Sequence, residues 1–140
     1  MKNLLLILSL FLFYQQGIGQ QKPQIKIHAV SPIQLKLGES IKLKVQVTHN
    51  LSEEKTGTLT LSLVNHQTQK SVDGWFLNIF PFQYFTTLKN EKFETEFPFT
   101  VPNDCIDGFD MILIAAVNEL KDSIRFTIPN KKIIPIAKKN

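Results

Sequence analysis

Ile41-Lys42-Leu43-Lys44-Val45-Gln46-Val47-Thr48 decides the fold of this chain. Four apolar residues alternate with Lys, Lys, Gln and Thr, so every second side chain falls on one face of an extended strand. One face of that strand is dry and the other wet, which is the pattern of an antiparallel sheet with a single covered side. On the N-terminal side the same period of two runs through Ile25 and Ile27, then through Ile33, Leu35 and Leu37. Leu37-Gly38-Glu39-Ser40 joins this run to the next as a tight turn, with Gly38 free to take a positive φ.

On the C-terminal side, Asn50 to Gly57 is polar and acid-rich and reads as a loop, after which Leu59, Leu61 and Leu63 alternate with threonines and serine. Asn65 to Lys70 is a further loop. The block from Val72 to Phe85 holds Trp75, Phe76, Phe80, Phe82, Tyr84 and Phe85 in a less regular pattern. Phe93, Thr95, Phe97 and Phe99 alternate with Glu94 and Glu96, and Val101-Pro102-Asn103-Asp104 closes that strand. Met111 to Val117 is nearly continuous apolar, which predicts a central strand covered on both faces; its β-branched isoleucines favour strand over helix. Ser123 to Ile128 follows after a loop spanning Asn118 to Asp122. About seven strands at intervals of roughly ten residues, with no amphipathic helix, predict an all-β, immunoglobulin-like antiparallel sandwich.

The N-terminus has a different logic. After Met1-Lys2-Asn3, the run Leu4 to Phe13 is apolar all round and turns polar at Tyr14. Such a run spans only about 15 Å as a helix, half of what a bilayer core requires. It reads as a secretory signal peptide over residues 1–19, with Gly17-Ile18-Gly19 giving the small residues before a cut after Gly19. The expected protein is secreted or periplasmic, without a permanent membrane span. Residues 20–130 then form one sandwich domain of common size. Residues 131–140 form a basic tail carrying Lys131, Lys132, Lys138 and Lys139. That tail lacks interleaved aromatics for base stacking, and an exported chain seldom meets nucleic acid, so no nucleic-acid partner is expected.

Chemistry is sparse. With Cys105 the only cysteine, the chain can form no internal disulfide. It sits between Asp104 and Ile106, and the neighbouring acid discourages the thiolate. His28, His49 and His66 stand apart without ligand spacing, so no metal is expected. Asp104, Asp107 and Asp110, with Asn103 and Gly108, could coordinate calcium, but they lack the alternating acids and closing glutamate of a calcium loop. An ordinary turn bending at Asp107-Gly108 is expected instead. No nucleophile elbow, phosphate loop or paired carboxylates occur, so neither an enzyme nor a cofactor is expected. Asn50-Leu51-Ser52 matches a glycosylation sequon, relevant only in a eukaryotic source. Trp75, Phe76, Phe80, Phe82 and Tyr84 are the candidate binding surface, set against the plainer reading that they fill the core and one edge.

The middle of the chain also carries a resemblance. Gly57-Thr58-Leu59-Thr60-Leu61-Ser62-Leu63, Lys70-Ser71-Val72-Asp73-Gly74-Trp75-Phe76, Gln83-Tyr84-Phe85-Thr86 and Phe97-Pro98-Phe99-Thr100-Val101-Pro102 follow one another. This order resembles the macroglobulin-like β-sandwich that precedes the thioester region in large bacterial alpha-2-macroglobulins, over roughly Ile33 to Ile134. Ile128-Pro129-Asn130-Lys131-Lys132-Ile133 is similar to the exit from that domain. Family members are large envelope proteins that trap proteases with a bait segment and, often, a Cys-Gly-Glu-Gln thioester. Here Cys105 is followed by Ile106-Asp107, so the thioester is not implied. What the resemblance implies is a spacer and contact domain that binds a protein, with its partner and oligomeric state left open. A fragment or subunit of such an inhibitor is the alternative, and a carbohydrate-binding sandwich the second.

Overall fold

The computed structural model describes residues 21–105 and 107–135. The expected signal peptide and its cleavage after Gly19 lie outside the described residues, as do Lys138 and Lys139 of the tail. Nine strands follow in chain order: β1 Ile25–Ala29, β2 Leu35–Lys36, β3 Ser40–His49, β4 Lys55–Asn65, β5 Phe82–Thr87, β6 Phe93–Thr100, β7 Phe109–Val117, β8 Leu120–Ile128 and β9 Ile133–Ile134. They form an antiparallel three-stranded sheet β1-β3-β6, an antiparallel four-stranded sheet β5-β4-β7-β8, and a short parallel pair β2-β9.

The period-two patterns place the core. Leu43, Val45 and Val47 of β3 point inward with Ile25 and Ile27 of β1 and Phe97 and Phe99 of β6. Against them pack Leu59, Leu61 and Leu63 of β4, Phe85 of β5 and alternate residues of β7 from Phe109 to Val117. Each large side chain of this layer stabilises the fold by about 1.5–3 kcal/mol through removal from water. Ile41, the first apolar residue of the β3 repeat, is only half-buried and packs at the rim.

Side chains hold both open sides of the sandwich. On one side, Oδ2 of Asp122 in β8 accepts from the free N–H of Ile27 in β1 at 2.8 Å. On the other, Gln83 of β5 accepts from the Thr95 hydroxyl at 2.5 Å and donates to the carbonyl of Glu96 in β6 at 3.1 Å. Each bond satisfies a backbone or hydroxyl group that the sheet ladders leave over.

Some sequence expectations need correction. β7 is central, between β4 and β8, but covered on one face only. Its run is continuous because the outward positions Ile112, Ile114 and Ala116 are apolar too, and Ile114 is 39% exposed. The turn after β7 is shorter than expected: Asn118 takes φ 52°, and β8 already pairs at Leu120. Nor does the fold stop at residue 130. Ile133 and Ile134 pair with Leu35 and Lys36, and the carbonyl of Ile134 accepts from the Leu37 N–H at 2.9 Å. Lys131 and Lys132 therefore belong to a 3-10 turn inside the domain, drawn in because Ile133 pairs with the buried Leu35 and packs against the core. Gly38 does take a positive φ, 73°, at the turn into β3.

Candidate functional site

The aromatic block divides into a clasp and a surface. β5 pairs with β4 only as far as Thr60, so the Leu61–Asn65 half of that β4 edge lies beyond the reach of a strand. The segment Lys70–Pro81 covers it with a mixture of backbone and side-chain groups. The carbonyl of Leu63 accepts from the Val72 N–H at 2.8 Å, while its own N–H donates to Oδ1 of Asp73 at 2.8 Å. Nδ2 of Asn78 donates to the carbonyl of Leu61 at 3.0 Å, and the Leu61 N–H donates to the carbonyl of Pro81 at 2.8 Å. Asp73 and Asn78 are joined at 2.8 Å. A carboxylate and an amide thus stand in for a missing strand. Between them, Phe76 is driven into the core, and its carbonyl accepts from the Thr100 N–H at the end of β6 at 2.7 Å. The Val-Asp-Gly-Trp-Phe stretch is therefore a tie between the two sheets.

Of the five residues expected at a binding surface, Phe76 is 1% exposed and belongs to the core, since the Asp73 turn aims it inward. Trp75, Phe80, Phe82 and Tyr84 are between 45% and 71% exposed. Phe82 and Tyr84 meet edge-on, with ring centroids 5.0 Å apart and an interplanar angle of 86°.

Register shows what these aromatics border. Thr60 of β4 lies between Phe82 and Ile114, and Thr58 lies between Tyr84 and Ala116. Thr86 bonds Thr56 through their hydroxyls at 2.8 Å. Across β5, β4 and β7, from Thr56 to Ser62 on β4, no outward side chain is charged; the first charges are Lys121 and Arg125 on β8. The outer face of the other sheet is the opposite, with Lys26, Lys42, Lys44, Glu94 and Glu96 and a Lys42–Glu96 pair at 3.8 Å. Sequence reasoning found the aromatics but missed this uncharged field, because three segments far apart in the chain build it. Its only trace in the sequence is the lack of any charge in Thr56–Val64, Gly74–Leu88 and Met111–Val117.

The acidic loop residues do not converge. Asp110 sits on β7, its side chain 1% exposed, taking Nη1 of Arg125 at 2.9 Å, Nδ1 of His66 at 2.9 Å and Nε2 of Gln69 at 3.2 Å. Burial alone would push its carboxyl upward. Hydrogen bonds from Gln69, His66 and Thr127 and the charge on His66 outweigh that, holding it below the ordinary 3.8. Because the folded value is the lower one, this group's contribution is complete above the unfolded value and is lost as pH falls beneath it. Asp110→Asn is expected to lose about 1–3 kcal/mol at neutral pH. Urea titrations at a series of pH values should also show the variant with a shallower fall in stability below about pH 5 than the parent; parallel acid limbs would remove Asp110 from the account.

His49 is buried, its Nε2 donating to the carbonyl of Thr87 at 2.8 Å while Nδ1 accepts from the Leu51 N–H at 3.2 Å. His28 is exposed. Cys105 is buried, its thiol pushed up to about 11 by burial and then by the charges of Asp107 and Asp104. Among the described residues no three His, Cys, Asp or Glu side chains are grouped to hold a metal ion. No helix among them is long and apolar enough to cross a membrane.

Two packed antiparallel sheets of three and four strands define the immunoglobulin-like sandwich class. Within it, the fold is similar to a fragment of Escherichia coli alpha-2-macroglobulin running from its MG7 domain to the C-terminus: TM-score 0.55, 10% identity, 84% of this chain and 17% of that one. It is also similar to a chain in the complex of zinc 2-glycoprotein with prolactin inducible protein from human seminal plasma: TM-score 0.53, 8% identity, 84% of this chain and 99% of that one. A third likeness is to a Paenibacillus cycloisomaltooligosaccharide glucanotransferase complexed with cycloisomaltoheptaose: TM-score 0.54, 15% identity, 84% of this chain and 15% of that one. The chain thus spans about a sixth of the macroglobulin fragment and of the transferase. No family model matches the sequence, and no curated protein matches it.

Proposed function

We propose that this protein is an exported, non-enzymatic, macroglobulin-like sandwich module that binds another protein through the outer face of β5, β4 and β7. The observation that carries the reading is the contrast between the two outer faces. One is studded with lysine and glutamate, as a solvated face should be. The other is threonine, alanine, isoleucine and exposed aromatic, with its charges confined to the rim. Aromatic enrichment with charge depleted at the centre is the composition of protein interfaces. The likeness to a macroglobulin fragment supports a contact-domain role, and the likeness to a chain from a two-protein complex fits a domain of this size acting in association. Phe82 and Tyr84, nearly perpendicular, form no flat platform for a sugar ring, which favours a protein over a carbohydrate. The signal-like N-terminus supports export to the periplasm or beyond.

The test is capture from envelope and culture fractions, followed by titration of the identified partner. Ile114→Lys, at the centre of the face, should weaken binding at least tenfold, whereas Lys44→Ala on the opposite sheet should leave it unchanged. Equal binding by both variants would refute the reading. A second reading, part of a macroglobulin-type inhibitor, rests on the same structural likeness; it requires that a protease be trapped or slowed when the partner is present.

A further inference from the structure

An open sheet edge invites another strand, and folded proteins normally guard it with charge, proline or a covering segment. The edges of this protein are guarded unequally. The free edge of β1 is bonded by Asp122, β6 by Gln83, and the exposed half of β4 by the Lys70–Pro81 clasp. β8 is the far edge of the larger sheet and carries Lys121, Asp122 and Arg125.

β5, the other edge, has no such guard. From Ile79 to Leu88 there is no charged residue. The Leu61 N–H reaches the carbonyl of Pro81, so by antiparallel alternation residues 81, 83, 85 and 87 turn their backbone groups to β4. The N–H and C=O groups of Phe82, Tyr84 and Thr86 then point to the open side. Pro81, facing β4, does not block that side.

We infer that β5 pairs antiparallel with β5 of a second copy of this chain, about a two-fold axis beside Tyr84. Such pairing sets Tyr84 against Tyr84 and Phe82 against Thr86, each pair exchanging both main-chain bonds. Continued outward, it brings Phe80 opposite Leu88, two side chains that are 61% and 46% exposed in the single chain. No charge meets a like charge in any of these pairs, so the strand is complementary to itself, as an isologous interface requires. The outward rings of Phe82 and Tyr84 meet their counterparts only across the seam and stay on the open face, so the main-chain bonds of Phe82, Tyr84 and Thr86 and the cross-strand side-chain pairs hold the dimer. The product is one continuous eight-stranded sheet that doubles the uncharged face. The inference stands apart from partner binding, which a single copy could also perform.

Sedimentation equilibrium on protein purified from expression of the full chain, from micromolar to near-millimolar concentration, tests it. The parent should sediment as a dimer. Tyr84→Pro, which removes an N–H that β4 does not use, and Thr86→Lys, which sets charge into the pairing, should each weaken the dimer at least tenfold. Ile114→Lys and Ser123→Lys should leave it intact. A parent that is monomeric throughout overturns the inference, as does a dimer indifferent to both β5 variants or a monomer that pairs with an unrelated extended peptide. Ile114→Lys separates the two proposals, since it should weaken partner binding at least tenfold without touching the dimer.

Discussion

Phe76→Ala should cost about 3–5 kcal/mol of unfolding free energy, while Trp75→Ala, one residue earlier, should cost far less. The Phe76 ring is 1% exposed and lies with its centroid 4.5 Å from that of Phe109 and 6.4 Å from that of Phe99. Removing it leaves a cavity between the sheets at the point where the clasp joins them. It also slackens the turn whose N–H of Phe76 donates to the carbonyl of Val72 at 3.0 Å and whose carbonyl holds Thr100. Trp75 touches Phe76 edge-on at 5.8 Å and is 45% exposed, so its loss opens no enclosed space. Urea unfolding of the two variants and the parent, with unchanged slopes, measures the difference; comparable losses would mean that the clasp does not bury Phe76. Of the five candidate aromatics, Trp75, Phe80, Phe82 and Tyr84 can then serve to probe the surface, because a binding defect in Phe76→Ala would report unfolding.

Gly57→Ala is the second large effect, and here one methyl is added. A Cβ at Gly57 would fall within contact distance of the Ala116 carbonyl oxygen and the Phe85 ring, and 2.7 Å from Cγ2 of Val117. Phe85 lies directly opposite Gly57 in the β4–β5 register, so the glycine is the gap over which the ring lies. The carbonyl belongs to the central strand β7 and has no rotamer to change. The loss should reach the upper part of the about 1–3 kcal/mol range for overpacking or exceed it. Shrinking the ring with Phe85→Leu in the same chain should recover only a part, since the backbone contact stays. Full recovery in the double variant, by thermal or urea denaturation, would place the whole clash on the ring.

These two positions also mark how far the sequence could be read. The strands β3, β4 and β6 were legible because one covered face imposes a period of two, and Gly38 was legible because its turn demands a positive φ. Gly57 resembles any glycine in a strand until the register sets Phe85 beside it. Asp73 and Asn78 read as loop polars, since their role depends on how far β5 runs along β4, which is decided by tertiary structure. Met111 to Val117 reads as covered on both faces because apolar residues do not tell a dry environment from an uncharged exterior. Ile133 and Ile134 sit among four lysines and read as part of a basic tail, although their pairing with Leu35 and Lys36 decides the matter. The candidate surface was legible as a cluster of aromatics, but its extent was not, since charge is missing from three separate segments that only pairing brings together.

The short parallel pair of β2 and β9 gives the fold a mechanical property. Parallel strands drawn from opposite ends slide along each other, so their bonds are loaded side by side and yield together. An antiparallel hairpin pulled open at its mouth unzips one bond at a time. Tension applied through residues beyond Ile134 would first load this pair in shear, and pass through the buried Leu35 into the sandwich.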